Sequence, residues 1–155
     1  MALPVVMPCI TAVKWYSGMS LGRTDWISID QARIDGFADA IDDHQWIYCD
    51  VERASRESPW KGTIANNYLL LSLVPALLPD LIVLLGWKTA INTGVPECTF
   101  GAPVPAGSRV RMSARLAKAR HVPNGGCRLS FAVSFEVEGG DASACDATVN
   151  YLYFP

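Results

Sequence analysis

The chain has 155 residues, half of them hydrophobic and 18% charged, and its formal net charge is −2. This length is that of one domain with a substantial core, and the composition argues against a disordered chain. An almost neutral chain lacks the excess of basic residues typical of nucleic-acid binding, so we expect no nucleic-acid partner. Basic residues do alternate with apolar ones from Arg109 to Arg120, which is the pattern of the solvent-facing side of a strand.

The five cysteines are scattered and share no metal-like spacing, so we expect reduced thiols in a cytoplasmic protein without a metal or cofactor. The segment Met1–Thr11 has no basic region before an apolar stretch and therefore does not resemble an export signal. The uncharged run Thr63–Pro79 approaches the length of a membrane span. Because it contains two asparagines and Pro75 and ends at Pro79, we interpret it as a buried helix and expect no membrane association.

The first 25 residues have the weakest pattern and are interpreted as an N-terminal extension, with a short strand predicted at Val13–Tyr16. Trp26–Ile29 is predicted to be extended. Asp30 is the expected N-cap of a helix, because apolar residues follow it at helical spacing as far as Asp42–Asp43. A further helical turn is predicted at Val51–Glu57.

A long apolar helix is predicted at Ile64–Leu78, and apolar residues occupy nearly its whole circumference. Such a helix must be surrounded by protein. Pro75 lacks a backbone donor and should bend its last turns. The loop before this helix, residues 42–50, carries three acids, a histidine, a tyrosine, a glutamine and a cysteine. Polar residues are typical of loops, so a solvated turn is the default interpretation of this cluster.

From residue 82 onward the hydrophobic period changes from helical to two. Strands are predicted at Ile82–Lys88 and Pro96–Phe100, separated by a break at Thr93-Gly94. Two alternating strands then start near Arg109 and Arg128, and a last strand covers residues 142–154, with glycine-containing turns between them. Long antiparallel strands after one buried helix indicate the α+β class, with the sheet wrapped about a long central helix.

The chain resembles the MaoC-like dehydratases, particularly their NodN-like branch, at a series of segments that occur in the family's order: Trp26–Asp30, Ile34–Asp43, Gln45–Ile47, Asp50, Thr63–Ala65, Ile91-Asn92 with Gly94, and Ala102–Arg111. The resemblance implies that residues 1–155 form a single hot-dog domain and pair into a homodimer. It also implies a substrate that is a hydrophobic small molecule or an acyl group. Members of the family mostly hydrate or dehydrate acyl thioesters at sites near the dimer interface.

The family's chemistry uses an Asp and a His five residues apart on the loop before the central helix. Asp43 stands at the position of the Asp, but Tyr48 replaces the His. A phenol has an ordinary pKa near ~10, so it can donate a hydrogen bond or a proton but is a poor base near neutral pH. His44 adjoins Asp43 too closely to replace the missing imidazole, and we expect it to be exposed.

Two further departures lie nearby. Asn66-Asn67 replaces the family's usual His-Gly pair at the start of the central helix, and Thr99 stands where an Arg is common. The first change adds a side chain where an acyl oxygen would approach, and the second removes a cationic anchor for a phosphate-bearing carrier.

Together these departures favour a repurposed hydratase site, acting as a cyclase, isomerase or dehydratase on an unsaturated polyketide-like or acyl substrate. Asp43 would accept a proton or hydrogen bond, Tyr48 would donate one, and Asn66 and Asn67 would hold a carbonyl oxygen. The substrate-binding residues would also include Trp46 and Tyr68, as walls of an apolar pocket centred on Asp43, Tyr48 and Asn67.

Two alternatives remain open. The chain could be an ordinary (R)-specific enoyl-thioester hydratase or dehydratase. It could also be a non-catalytic hot-dog protein that binds a hydrophobic ligand, in which Asp43 caps a helix and Tyr48 fills the dimer interface.

Overall fold

The computed structural model describes residues 3–155. Met1 and Ala2 therefore lie outside the described residues, and they are the first two residues of the segment that we predict not to be an export signal. The main element is a six-stranded sheet of β2 (Ser20–Arg23), β3 (Ile27–Ile29), β5 (Thr89–Phe100), β6 (Ser108–His121), β7 (Cys127–Val137) and β8 (Ser143–Phe154). The strand order is β2-β6-β7-β8-β5, with β3 also paired to β6. All the pairings are antiparallel.

The helices lie between β3 and a short strand β4 (Ile82–Leu84). They are α1 (Gln31–Ile41), α2 (Trp46–Cys49), α3 (Val51–Glu57), α4 (Asn67–Ser72) and α5 (Val74–Leu77). As predicted, α1 starts after Asp30, whose side chain accepts a hydrogen bond from the Arg33 backbone N–H. The helix ends where Asp42 adopts a left-handed conformation with φ of 55°. The predicted turn at Val51–Glu57 is α3.

The central helix predicted at Ile64–Leu78 is shorter and broken. Ile64 forms an isolated bridge with Pro105, and the helical segment runs as α4, α5 and a final 3-10 turn at Leu78–Asp80. Pro75 explains the interruption, because it cannot donate the backbone hydrogen bond that a continuous helix needs. Leu69, Leu70 and Val74 lie in the core. The other side of the segment, with Tyr68 and Ala76, is exposed, so the helix is not surrounded by protein as predicted.

Three strand predictions were wrong in detail. Val13–Tyr16 belongs to a 3-10 helix, Ile10–Tyr16, whose buried residues Ile10 and Val13 are spaced by its three-residue period. Of Ile82–Lys88, only β4 is a strand, and it pairs in parallel with β1 (Val5–Met7) outside the main sheet. Thr93-Gly94 does not end a strand, because β5 continues past it through register shifts on either side of Gly94. Gly94 has a φ of 152°, which favours glycine.

The core lies between the helical segment and one face of the sheet. Alternate residues of β6, β7 and β8 point into it, among them Met112, Phe131 and Val149, while the residues between them face outward. Met7 and Leu21 from the predicted N-terminal extension pack into the same core. Among residues 3–155, no helix is long and apolar enough to cross a membrane.

Candidate functional site

The site begins with Asp43, which follows α1 and is held by two side-chain amides. Asp43 Oδ1 accepts a hydrogen bond from Gln45 Nε2 at 3.0 Å, and Oδ2 accepts one from Asn66 Nδ2 at 3.1 Å. Each carboxylate oxygen has a second lone-pair direction. The carboxylate is therefore held in place by the protein and still has capacity to accept from a water or a substrate.

Asn66 joins this carboxylate to the start of α4. Its Oδ1 accepts from the Tyr68 backbone N–H at 2.9 Å, which makes it the N-cap of the helix. Its Nδ2 donates to Asp43, and the residue is only 8% exposed. Asn67 is the first residue of α4 and is half-buried. Asp43 and the first turn of α4 are thus brought together, as the sequence indicates.

Tyr48 is a half-buried residue of α2, and its backbone is anchored by two residues that the sequence reasoning missed. Gln31 Nε2 donates to the Tyr48 carbonyl oxygen at 2.7 Å, and Thr63 Oγ1 donates to Gln31 Oε1 at 2.5 Å. Thr63 is buried, at 4% exposure. The start of α1 and the approach to α4 therefore hold α2 between them. Thr63 belongs to Thr63–Ala65, one of the segments that resemble the family, whereas no sequence pattern distinguishes Gln31 from an ordinary residue in the first turn of a helix.

The electrostatics of the loop keep its acidic hydroxyl and thiol protonated. Burial, and then the negative charge of Asp43, raise the pKa of Tyr48. Burial and the carboxylates of Asp35, Asp39 and Asp43 raise the pKa of Cys49. Tyr48 is therefore a proton or hydrogen-bond donor at neutral pH, and Cys49 is not activated as a thiolate nucleophile.

Trp46 and Tyr68, the predicted pocket walls, contact other residues and line none of the cavities described below. The Arg53 guanidinium lies over the Trp46 ring, 4.5 Å from its centroid, and Tyr68, 62% exposed, makes an edge contact with Phe100 at 5.6 Å between centroids. His44 Nε2 lies 2.8 Å from Asp39 Oδ1 on an exposed surface, as expected for a residue without a role in the site.

Two apolar cavities lie beside the helical segment. One, of about 470 Å³, begins one turn into α4 at Leu71 and Ser72 and extends to Asn92 and Tyr151. The second, of about 350 Å³, shares Pro75, Ala90 and Tyr151 with the first and ends at Trp87 and Tyr153. These cavities are not lined by Asp43 or Tyr48, so the single pocket expected around those two residues and Asn67 is not among them. A larger cavity, of about 570 Å³, lies on the outer face of the sheet and is lined by polar residues that include Thr99.

The comparisons with known proteins agree with this architecture. The model of a family described as MaoC like domain matches residues 15–127. The chain belongs to the MaoC-like family. A relative named 3-hydroxyacyl-thioester dehydratase Z, from Mycobacterium tuberculosis, is 40% identical over 138 residues, which cover 88% of this chain and 91% of the relative. Nodulation protein N from Rhizobium leguminosarum bv. viciae is 45% identical over 95 residues, which cover 61% of this chain and 59% of that protein.

Solved structures of two hydratases share the fold. An R-hydratase from Pseudomonas aeruginosa superposes with a TM-score of 0.69 at 18% identity, over 89% of this chain and 81% of that one. The (R)-hydratase from A. caviae gives a TM-score of 0.67 at 22% identity, over 90% and 96%. At these identities the likeness shows the fold alone. The predicted resemblance, the hot-dog fold and the α+β class are confirmed.

Proposed function

We propose that this MaoC-like protein is a lyase-type acid–base enzyme with a modified hydratase site. It would act as a dehydratase, cyclase or isomerase on an unsaturated, polyketide-like or acyl substrate. Asp43 is the proton or hydrogen-bond acceptor and Tyr48 the donor. The main support for the proposal is the hydrogen bond from Asn66 to Asp43, which holds the carboxylate at the first turn of α4. The negative charge of the same carboxylate raises the pKa of Tyr48.

The two proposed roles suit each other electrostatically. In a dehydration, Asp43 takes the proton next to the carbonyl and Tyr48 gives its proton to the leaving hydroxyl, which departs as water. The charge on Asp43 opposes formation of a tyrosinate. Because Asp43 becomes neutral as it takes the proton, this opposition disappears at the moment Tyr48 must release its own. A proton passing from Asp43 back to Tyr48 restores the site.

The side-chain amides would bind the carbonyl oxygen of the substrate. Asn66 Nδ2 carries two hydrogens and uses one of them for Asp43. Asn67 follows it at the start of α4. Since α4 has only six residues, we assign the oxyanion role to these amides rather than to the helix dipole.

The apolar part of the substrate would extend along the two cavities beside α4 and α5. They start one turn beyond Asn67 and are lined mainly by apolar side chains such as Leu71, Val74 and Leu78. Trp46 and Tyr68 would flank the polar end. The name of one relative, 3-hydroxyacyl-thioester dehydratase, supports a substrate with a thioester-like carbonyl group. The same name supports lyase chemistry in this chain. We place the enzyme in the cytoplasm as a homodimer.

The test compares three proteins on simple enoyl-thioester hydration, with crotonyl-CoA as the probe. The wild-type chain should hydrate it slowly, because replacement of the family's His by Tyr48 removes an acid–base contribution of about 10²–10⁴ in rate. Tyr48→His should raise the rate, since Asp43 and the backbone anchor on residue 48 are retained, and Gln45→Ala, which removes a support of Asp43, should not. Wild-type rates matching those of efficient hydratases would contradict the modified site and favour the alternative of an ordinary (R)-specific enoyl-thioester hydratase or dehydratase.

A further inference from the structure

The outer face of the sheet carries two contrasting charge patterns along the β6–β7 pair. Near one end, each arginine of β6 meets an acid: Arg109 is paired with Glu138, and Arg111 with Glu136. Near the other end, Arg120 stands directly opposite Arg128 in the register. Like charges directly opposite each other destabilise a strand pair. The β6–β7 pair therefore has paired opposite charges at one end and two facing positive charges at the other.

A third cation strengthens this clustering. Lys118 lies two residues before Arg120 and directly opposite Ser130, which in turn stands opposite Asn150 on β8. In the part of the chain that the structure describes, Lys118, Arg120 and Arg128 make no ion pair. Three positive charges thus share one small area without an acid from the protein.

These residues enclose a recess. Lys118, Arg120, Arg128, Ser130 and Asn150 line a cavity of about 180 Å³, roughly six times the volume share of one water molecule. Two of its polar atoms, Arg128 Nε and Asn150 Oδ1, are buried and have no hydrogen-bond partner in residues 3–155. Buried polar groups are normally paired, because an unpaired one costs free energy. The recess therefore offers one buried donor, one buried acceptor and a concentrated positive charge.

We propose that this recess binds a phosphate group carried by a small molecule with a hydroxyl or amide N–H beside it. A phosphate presents several acceptor oxygens and a double negative charge, and arginine is well suited to it. It would accept from Arg128 Nε and separate the charges of Arg120 and Arg128. The adjacent hydroxyl or N–H would donate to Asn150 Oδ1. The small volume favours one phosphate over the broad acidic surface of a protein.

This site is independent of the proposed acid–base site. Its residues alternate with Leu129 and Val149, which point into the core on which α4 packs, so the recess lies on the opposite face of the sheet from α4. Failure of the catalytic proposal would leave the phosphate site standing, and the reverse also holds.

The test measures binding of inorganic phosphate and of glycerol 3-phosphate by calorimetry, and thermal unfolding with phosphate against chloride at equal ionic strength. Arg128→Gln should weaken phosphate binding by about tenfold or more, as expected for loss of a charge-assisted hydrogen bond. The matched control is Arg109→Gln, which removes the same charge from the same face at a paired position and should change binding by less than about twofold. Glycerol 3-phosphate should bind more tightly than inorganic phosphate to the wild type, and Asn150→Leu should abolish that preference.

A second variant covers the case in which Arg128→Gln does not fold. Arg120 is exposed, and Arg120→Glu copies the Arg–Glu pairing found at the other end of β6–β7. It should unfold at a higher temperature than wild type without phosphate and lose the stabilisation that phosphate gives. Phosphate stabilisation retained equally by wild type, Arg120→Glu and Arg109→Gln would overturn the proposal, as would no response of the wild type to phosphate. Equal binding of both probes would overturn the assigned role of Asn150.

Discussion

Tyr48 keeps its proton through the neutral range, because burial and the Asp43 carboxylate both raise its pKa. If Tyr48 is the proton donor, activity should persist to a pH above its ordinary value near 10 and fall only when the phenol ionises. Tyr48→Phe should lower kcat by about 10²–10⁴-fold and remove this alkaline limb. A pH–rate profile of both proteins on the native substrate measures the effect. Unchanged turnover in Tyr48→Phe would exclude the donor role.

A substitution at Asp43 distinguishes an enzyme from a protein that only binds a ligand. Asp43→Asn keeps the size of the side chain but removes the acceptor of the proton. For an enzyme, kcat should fall by about 10²–10⁴-fold, whereas binding of the substrate should change much less. For a binding protein, neither affinity nor biological output should change. Stopped-flow turnover together with equilibrium binding of the same ligand distinguishes the two classes, and Asp39→Asn, at the exposed pair with His44, is the matched control.

The residues of the site could be named from the sequence because they fall on a local motif, and a loop between two helices keeps such residues together. The anchor through Gln31 could not. Its partners Tyr48 and Thr63 lie 17 and 32 residues away in the chain, and no periodic pattern links them. The sequence assigned Asn66 to a substrate carbonyl and did not predict its hydrogen bond to Asp43, because the two residues lie 23 positions apart with no pattern that links them.

At the start of α4, the contribution of Asn66 to protein stability can be measured separately from its contribution to activity. Asn66→Ser keeps an oxygen that can cap the helix but loses the amide donor to Asp43. It should unfold close to wild type and lose turnover. Asn66→Ala should lose the same turnover and also about 1 kcal/mol of unfolding free energy. Urea denaturation paired with kinetics makes the comparison, and equal stability of the two variants would contradict the capping role.

At the level of elements, hydrophobic patterns predicted which apolar residues are buried better than they predicted where a helix or strand is interrupted. Leu69, Leu70 and Val74 are buried as predicted, but Tyr68 and Ala76 on the other side of the segment are exposed. The helix breaks because Pro75 has no backbone donor, a property that hydrophobic periodicity does not include. The sheet strands β6, β7 and β8 alternate cleanly and were predicted closely. Strand β5 was missed in part because most of its residues are exposed, so it lacks the apolar alternation of a half-buried strand.

The whole molecule should be a dimer joined through β5. This strand ends the main sheet, and its free edge can accept a strand from a second copy. Ile91 on it is a large apolar residue that is 52% exposed. Ile91→Lys should shift the molecule from dimer to monomer in sedimentation equilibrium, while Val51→Lys, at a similarly exposed position on α3, should leave the dimer intact. A monomeric wild-type chain across the micromolar range would refute the assembly.

Alkaline conditions should weaken the whole fold. Burial raises the pKa of Cys127 from 9.0 to about 11, and burial with neighbouring groups raises that of Cys145 to about 12. A raised pKa in the folded state gives stability that is complete below the unfolded value and lost as the pH rises through the folded value. The urea midpoint should therefore fall progressively above pH 9, and less steeply in Cys127→Ala. A midpoint constant from pH 8 to 11 would contradict this.

The order of strands in the main sheet also governs when the fold can form. Strand β5 has one neighbour in the sheet, β8, which follows β6 and β7 in the chain and ends at Phe154. β1 likewise finds its partner β4 more than seventy residues later. During synthesis, which proceeds at about 5–20 residues per second, β5 must leave the ribosome several seconds before the strand that pairs with it. A nascent chain therefore exposes two free edges of β5 until β8 has emerged, and we expect this interval to be when the chain most needs a chaperone.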